Sequence, residues 1–172
     1  MGFAQAVQAC LRNYFSFAGR ASRPEFWWFF LFVLLVSIGL AVIDGLLFHS
    51  LSAEGSAPRP LTALFRLLTF FPLLGAAWRR LHDIGRPGWY LLIPLAISIV
   101  TVLFLFGGVA GFALMEGRLD DPESLRRPAA LLGITGMAVV ALLHLCIAAL
   151  LLWWLSRPGQ PDSNAFGPPP AQ

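Results

Sequence analysis

Trp78-Arg79-Arg80-Leu81-His82-Asp83-Ile84-Gly85-Arg86-Pro87-Gly88-Trp89 separates two long apolar runs, and its reading decides the fold. Basic residues collect in cytoplasmic connections of membrane proteins, so three arginines in one short stretch assign it a side. Gly85 and Gly88 supply unusual backbone angles and Pro87 stiffens them, so the chain turns back sharply here. An adjacent His82-Asp83 pair and two bracketing tryptophans make the stretch more than a spacer.

On either side of it the sequence turns apolar for lengths that matter. Hydrophobic residues make up 58% of the 172 residues and charged ones only 12%, against roughly 45–50% and about 25% in soluble domains. Crossing hydrocarbon takes about 20 helical residues at 1.5 Å each. Four blocks qualify: residues 26–48, 61–78, 89–115 and 129–155. Each is expected to be a helix, because a helix pairs its own backbone groups where water is absent. Alternation of period two is lacking, which excludes a barrel. The expected fold is an all-α integral membrane protein with a four-helix transmembrane bundle over 26–155. Residues 1–25 form an N-terminal cytoplasmic segment and 156–172 a proline-rich cytoplasmic tail. Pro72 and Pro94 fall inside the second and third blocks, where each removes a backbone donor and can kink its helix.

Arginine supplies all the basic charge, since the chain has no lysine. Arg12, Arg20, Arg23, Arg79, Arg80, Arg86 and Arg157 fall on one side of the alternating spans. Arg59, Arg118, Arg126 and Arg127 fall on the other, diluted by five carboxylates. The positive-inside rule then puts both termini in the cytoplasm. All six tryptophans, Trp27, Trp28, Trp78, Trp89, Trp153 and Trp154, lie at the span ends of that same side, where an amphipathic ring rests at headgroup level. Residues 52–60 and 116–128 become outer loops. The first span is long for a signal-peptide core and no small-residue cleavage site follows it, so it is expected to act as its own insertion signal.

Three polar motifs fall on the arginine-rich side: Phe17-Ala18-Gly19-Arg20 through Arg23-Pro24-Glu25-Phe26-Trp27, then Arg79 to Trp89, then Arg157-Pro158-Gly159 through Asn164-Ala165-Phe166-Gly167-Pro168. The series F-x-G-R-x-x-R-x-E-[FW]-W, R-R-L-H-D-x-G-x-x-G-W and P-G-x…N-x-[FY]-G-x-x-P resembles the bacterial inner-membrane family known as domain of unknown function 805. The resemblance spans residues 14 to 170. It implies a small multi-pass protein of the bacterial plasma membrane and brings no established activity.

Two sets of residues are candidates for a role. The first is a cytoplasmic polar cluster of Arg20, Arg23, Glu25, Arg79, Arg80, His82, Asp83 and Arg86. Carboxylates set among arginines suit bidentate pairing, which favours a salt-bridge network over a free basic patch that would hold anionic lipid headgroups. The second is an intramembrane pair, Asp44 with Arg66, equally distant from their shared outer loop; charges inside a membrane are costly and pair when they can. No cofactor is expected and no metal, because His49, His82 and His144 lie on different elements and Cys10 and Cys146 at different depths. No phosphate-cradling loop, nucleophile elbow or zinc-protease helix is present. Beyond the lipid bilayer, the expected partners are anionic headgroups or another membrane protein, with no nucleic acid; the sequence leaves the oligomeric state open. The favoured function is non-enzymatic recognition by the cytoplasmic face. A transporter or channel component and a membrane-embedded enzyme acting on lipid headgroups are the alternatives.

Overall fold

The computed structural model describes residues 1–48, 58–115 and 122–170, with side chains throughout except at 105, 109–110, 112–113, 115 and 122–133. Of the outer loops expected at 52–60 and 116–128, residues 52–57 and 116–121 lie outside the described residues, and 122–128 are helical, the first residues of the last helix, instead of loop. The elements are α1 (Phe3–Arg12), α2 (Arg23–Phe48), α3 (Pro60–Asp83), a short 3-10 helix (Gly88–Leu92), α4 (Ile93–Met115) and α5 (Pro122–Ser156). No strand occurs among the described residues, and four helical stretches are long and apolar enough to cross a membrane: Arg23–Phe48, Pro60–Asp83, Gly88–Gly108 and Ile134–Ser156. The protein is an all-α integral membrane protein.

Two compact units are distinguished, Met1–Gly88 with Trp154–Gln172, and Trp89–Trp153. In the first, α1 packs on α2 and α3, and α2 packs on α3. Its buried apolar residues, among them Ala6, Cys10, Ala21, Phe26, Phe29, Ala77, Leu81 and Leu155, gather where the N-terminal segment meets the start of α2 and the end of α3. Farther along, α2 and α3 expose Leu35, Ile38, Val42, Leu64 and Leu67, the surface a lipid-facing helix presents. In the second unit α4 is tied to α5 by His144, whose Nε2 lies 2.9 Å from Ser98 Oγ and 3.1 Å from the Pro94 carbonyl. Its Nδ1 lies 2.8 Å from the Val140 carbonyl. Polar contacts of this kind hold helices together where no hydrophobic difference separates lipid from protein.

The two prolines behave differently. Pro94 is the second residue of α4, where its missing N–H is one of the groups a helix start leaves unpaired anyway. It is therefore not the interior kink expected from the block boundaries. Pro72 is buried inside α3 and orphans the carbonyl of Leu68, four residues back. The Tyr14 hydroxyl donates to that carbonyl. Tyr14, just ahead of the N-terminal motif, thus satisfies a defect at Leu68, about three helical turns before Arg79.

The N-terminal segment also holds a helix that the sequence reading passed over. Apolar residues at 3, 6, 7, 10 and 11 follow the helical repeat, and α1 buries Ala6 and Cys10 from that face. Burial first, and then the Glu25 carboxylate, push the Cys10 thiol up to about 12. Cys10 is consequently protonated at neutral pH and serves as a small packing residue.

Asp44 and Arg66 do not pair. Asp44 is fully buried and accepts from the first turn of α3: Leu61 N–H at 3.1 Å, Thr62 N–H at 2.8 Å and the Thr62 hydroxyl at 2.8 Å. A helix start inside a membrane has N–H groups that nothing else can satisfy, and it carries the positive end of the dipole. Residue 59 is an arginine with no capping side chain, so the preceding helix supplies the cap. Arg66, one turn on, is exposed beside Phe30, Ser37 and Phe70. Asp44→Ala is expected to lower the folded yield several-fold, the usual consequence of a modest stability loss in a cell. Arg66→Gln changes yield little, and exchanging the two residues gives no rescue, as measured by fluorescence-detected gel filtration of tagged protein.

Candidate functional site

The arginine stretch opens as helix. Arg79, Arg80, His82 and Asp83 occupy the last turn of α3, not the connection after it, and the chain leaves the helix at Gly85. Arg86 N–H donates to the Leu81 carbonyl at 2.9 Å and Gly85 N–H to the His82 carbonyl at 3.0 Å. That pair of bonds with φ +74° at Gly85 is a Schellman ending, which glycine alone adopts without strain. The charges stay helical because partners reach them from two other segments.

Asp83 is the centre. Its Oδ1 receives Arg20 from both Nε, at 2.9 Å, and Nη2, at 2.8 Å, and its Oδ2 receives Arg80 Nη1. The three side chains are 1%, 0% and 5% exposed for Arg20, Arg80 and Asp83. Burying two guanidinium groups on one carboxylate is tolerable only if the remaining N–H groups also find acceptors. They do, on the tail. Arg20 Nη1 donates to the Asp162 carbonyl at 2.7 Å and the Gly167 carbonyl at 3.3 Å, and its Nη2 to the Gln160 carbonyl. Arg80 Nε donates to the Leu155 carbonyl at 3.0 Å and its Nη2 to the Arg157 carbonyl. Arg80 thereby closes free carbonyls at the end of α5, where cations are favoured by the helix dipole.

A second pair lies one turn away. Arg79 Nη2 is 3.2 Å from Glu25 Oε1, with both side chains buried. Ser22-x-x-Glu25 has the form of a capping box, and Ser22 Oγ accepts the Glu25 N–H at 3.3 Å. The Glu25 carboxylate, however, turns to Arg79. The backbone of Ala21 adds a further link, donating to the Arg79 carbonyl at 3.1 Å.

His82 joins the same three segments. Its Nδ1–H donates to the Gly19 carbonyl at 3.0 Å, and its ring stacks on Phe166 with centroids 3.9 Å apart and planes 6° from parallel. Asn164 places Phe166: its amide donates to the His82 carbonyl at 2.9 Å, and its Oδ1 accepts Phe166 N–H at 2.9 Å. Asn164 and Gly167 exchange both backbone bonds, closing a tight turn. The tail therefore docks through Phe166 despite having no core of its own.

Six of the eight candidate residues, Arg20, Glu25, Arg79, Arg80, His82 and Asp83, come together in this clasp. Arg86 stands apart from the carboxylates and lies 4.2 Å over the Trp154 ring, a cation–π contact. Arg23 is exposed and makes no ion pair among the described residues. It borders a recess of about 760 Å³ together with Ser22, Pro24, Pro158, Gly159 and Pro161, with Asp83 at its base. No group of three or more His, Cys, Asp and Glu residues is placed to hold a metal among the described residues. What the sequence did not reveal is the role of the tail: its carbonyls are acceptors, and backbone atoms leave no signature in residue identity.

Known proteins resemble the chain. The chain is 34% identical over 98 residues to inner membrane protein YhaH of Escherichia coli strain K12, covering 55% of this chain and 78% of that protein. It is 38% identical over 114 residues to inner membrane protein YhaI of the same strain, covering 66% of this chain and 91% of that one. No solved structure matches. With four spanning helices and inner-membrane relatives, this is a multi-pass inner-membrane protein. A family model described as protein of unknown function (DUF805) matches residues 14–168, from the tyrosine that caps the Pro72 defect to the turn that seats Phe166, and the chain belongs to that family.

Proposed function

We propose that the protein is a non-catalytic membrane receptor whose cytoplasmic face, with both termini on that side, binds an acidic extended segment of another membrane protein. The observation that carries this reading is the proline-walled recess beside Arg23. The clasp consumes the donors of Arg20 and Arg80, and Arg79 is turned inward to Glu25. Those three arginines are therefore braces and not a basic patch. Arg23 keeps its charge exposed at the rim of a concave surface, and prolines on several sides give that surface a stiff, pre-ordered wall, which lowers the entropy lost on binding. The sidedness rests on the distribution of arginine between the connections.

A photo-crosslinking residue at Gln160, used in intact membranes, tests the reading. One saturable adduct with one identified membrane protein is expected, lost in Arg23→Glu and retained in Arg59→Gln. Adducts that survive Arg23→Glu, or that contain only lipid, would overturn it.

A further inference from the structure

The two ends of α1 lie at different depths along α2. Phe3 packs edge-on against Trp28 at 5.9 Å and Phe32 at 6.3 Å, whereas the Cys10 thiol lies 3.8 Å from the Glu25 carbonyl. The two helices are thus antiparallel. Phe32 is nine residues into α2, about 14 Å from Arg23 at 1.5 Å per residue. Half the hydrocarbon of a bilayer is about 15 Å. Trp28, the nearer of the two ring partners, is about 8 Å past Arg23, so the Phe3 ring lies between the levels of Trp28 and Phe32, Met1 lines the Arg23 recess, and the Cys10 end of α1 stays level with the start of α2.

Along the outer face of α1 runs an open groove of about 770 Å³, walled by Phe3, Val7, Leu11 and Phe32, with Gln8 and Arg12 toward its shallow end. Arg12 is exposed and makes no ion pair among the described residues, so none of the clasp's carboxylates neutralises it. Gln8 sits one turn below Arg12, about 6 Å along the axis. The amide oxygen of Gln5 already accepts the Gly2 N–H at 2.9 Å, which leaves Gln8 as the open amide. From the shallow end inward the order is cation, amide donor, aliphatic and aromatic wall. A glycerophospholipid in the adjoining leaflet presents the matching order: phosphate, ester carbonyls, acyl chain.

We propose that this groove is a binding site for one anionic phospholipid, with its phosphate on Arg12, an ester carbonyl on Gln8 and an acyl chain against Val7, Phe3 and Phe32. The site is separate from the Arg23 recess and does not depend on a protein partner there. It also gives α1 a place in the membrane interface, where an amphipathic helix gains from both apolar burial and attraction to anionic lipid.

The test is native mass spectrometry of the full chain, exchanged through detergent with phosphatidylglycerol or phosphatidylethanolamine added. One phosphatidylglycerol is expected to remain bound in preference to phosphatidylethanolamine, undisturbed by excess inorganic phosphate. Arg12→Gln is expected to weaken retention about fivefold, matching roughly 1 kcal/mol for one arginine near a charged surface. Gln8→Leu weakens it less, and Arg59→Gln leaves it unchanged. A phosphatidylglycerol with a photoreactive acyl chain should label Phe3–Arg12 or Phe32, which keeps the proposal testable if a variant fails to fold. Equal retention of the two lipids, displacement by phosphate, equal loss in Arg12→Gln and Arg59→Gln, or label spread evenly over the spanning helices would each overturn it.

Discussion

Replacing Asp83 by alanine is expected to abolish accumulation of the folded protein. The substitution leaves Arg20 and Arg80 buried with no countercharge, since Asp83 is the carboxylate that both side chains meet. Removing one partner of a buried ion pair costs about 3 to 5 kcal/mol, and here two cations are stranded at once. Total stabilities of folded domains are only about 5 to 15 kcal/mol, so the loss is most of the margin. Asp83→Asn keeps the shape and an acceptor but loses the charge; it should fold partially, with a lower midpoint in a detergent melting assay. A double variant, Asp83→Ala with Arg80→Leu, should be better than Asp83→Ala alone, because it strands one cation instead of two. If Asp83→Ala were as abundant as wild type, the carboxylate would not be a brace and the clasp reading of the arginines would fall.

Asp44 and Arg66 show why the same reasoning from charge brings six of eight residues of the arginine-rich motifs together and fails for the intramembrane pair. In the arginine-rich motifs, Glu25 and Asp83 stand among arginines, and opposite charges buried together must pair. Residue identity was enough to bring Arg20, Arg79 and Arg80 to carboxylates, though not to say that Arg79 takes Glu25 while Asp83 holds the other two. For Asp44 the competing donor was invisible: the N–H groups of Leu61 and Thr62 belong to any sequence, and only their position at an uncapped helix start makes them compete with a guanidinium. The apolar blocks pointed to membrane-spanning helices because length and hydropathy alone decide that. Helix ends were harder. Charge marks the end of an apolar span but not of a helix, and Arg79 to Asp83 continue α3 because a buried charge with a partner does not end a helix. The α1 repeat at residues 3, 6, 7, 10 and 11 is legible in the sequence, but at ten residues it is too short to stand out as a span. The stack of Phe166 on His82 shows how an aromatic in a proline-rich tail marks an anchor.

Gly159→Ala is the second large effect expected. A Cβ on Gly159 would stand 2.0 Å from Asp83 Oδ2 and 2.6 Å from its Cγ. Something must move, and the carboxylate cannot without breaking contact with Arg20 or Arg80. The tail is therefore displaced instead, and with it the Gln160 N–H bond to the Asp83 carbonyl at 2.9 Å and the carbonyl acceptors that complete Arg20. Overpacking by one carbon in a rigid site costs about 1 to 3 kcal/mol, and each buried donor left open adds about 1 to 3 more. Gly85→Ala is the instructive contrast: the atoms nearest its Cβ belong to the Gln160 side-chain amide, which can move at the loss of its hydrogen bond from the Asn164 amide, so its cost is that bond and the strain of φ +74°, about 2 kcal/mol. Limited proteolysis in detergent should separate them, Gly159→Ala being cut within residues 157–170 at a concentration of protease that leaves Gly85→Ala and wild type intact. Cleavage of Gly159→Ala no faster than wild type would mean that the tail does not need its close approach to Asp83, and that the clasp closes without it.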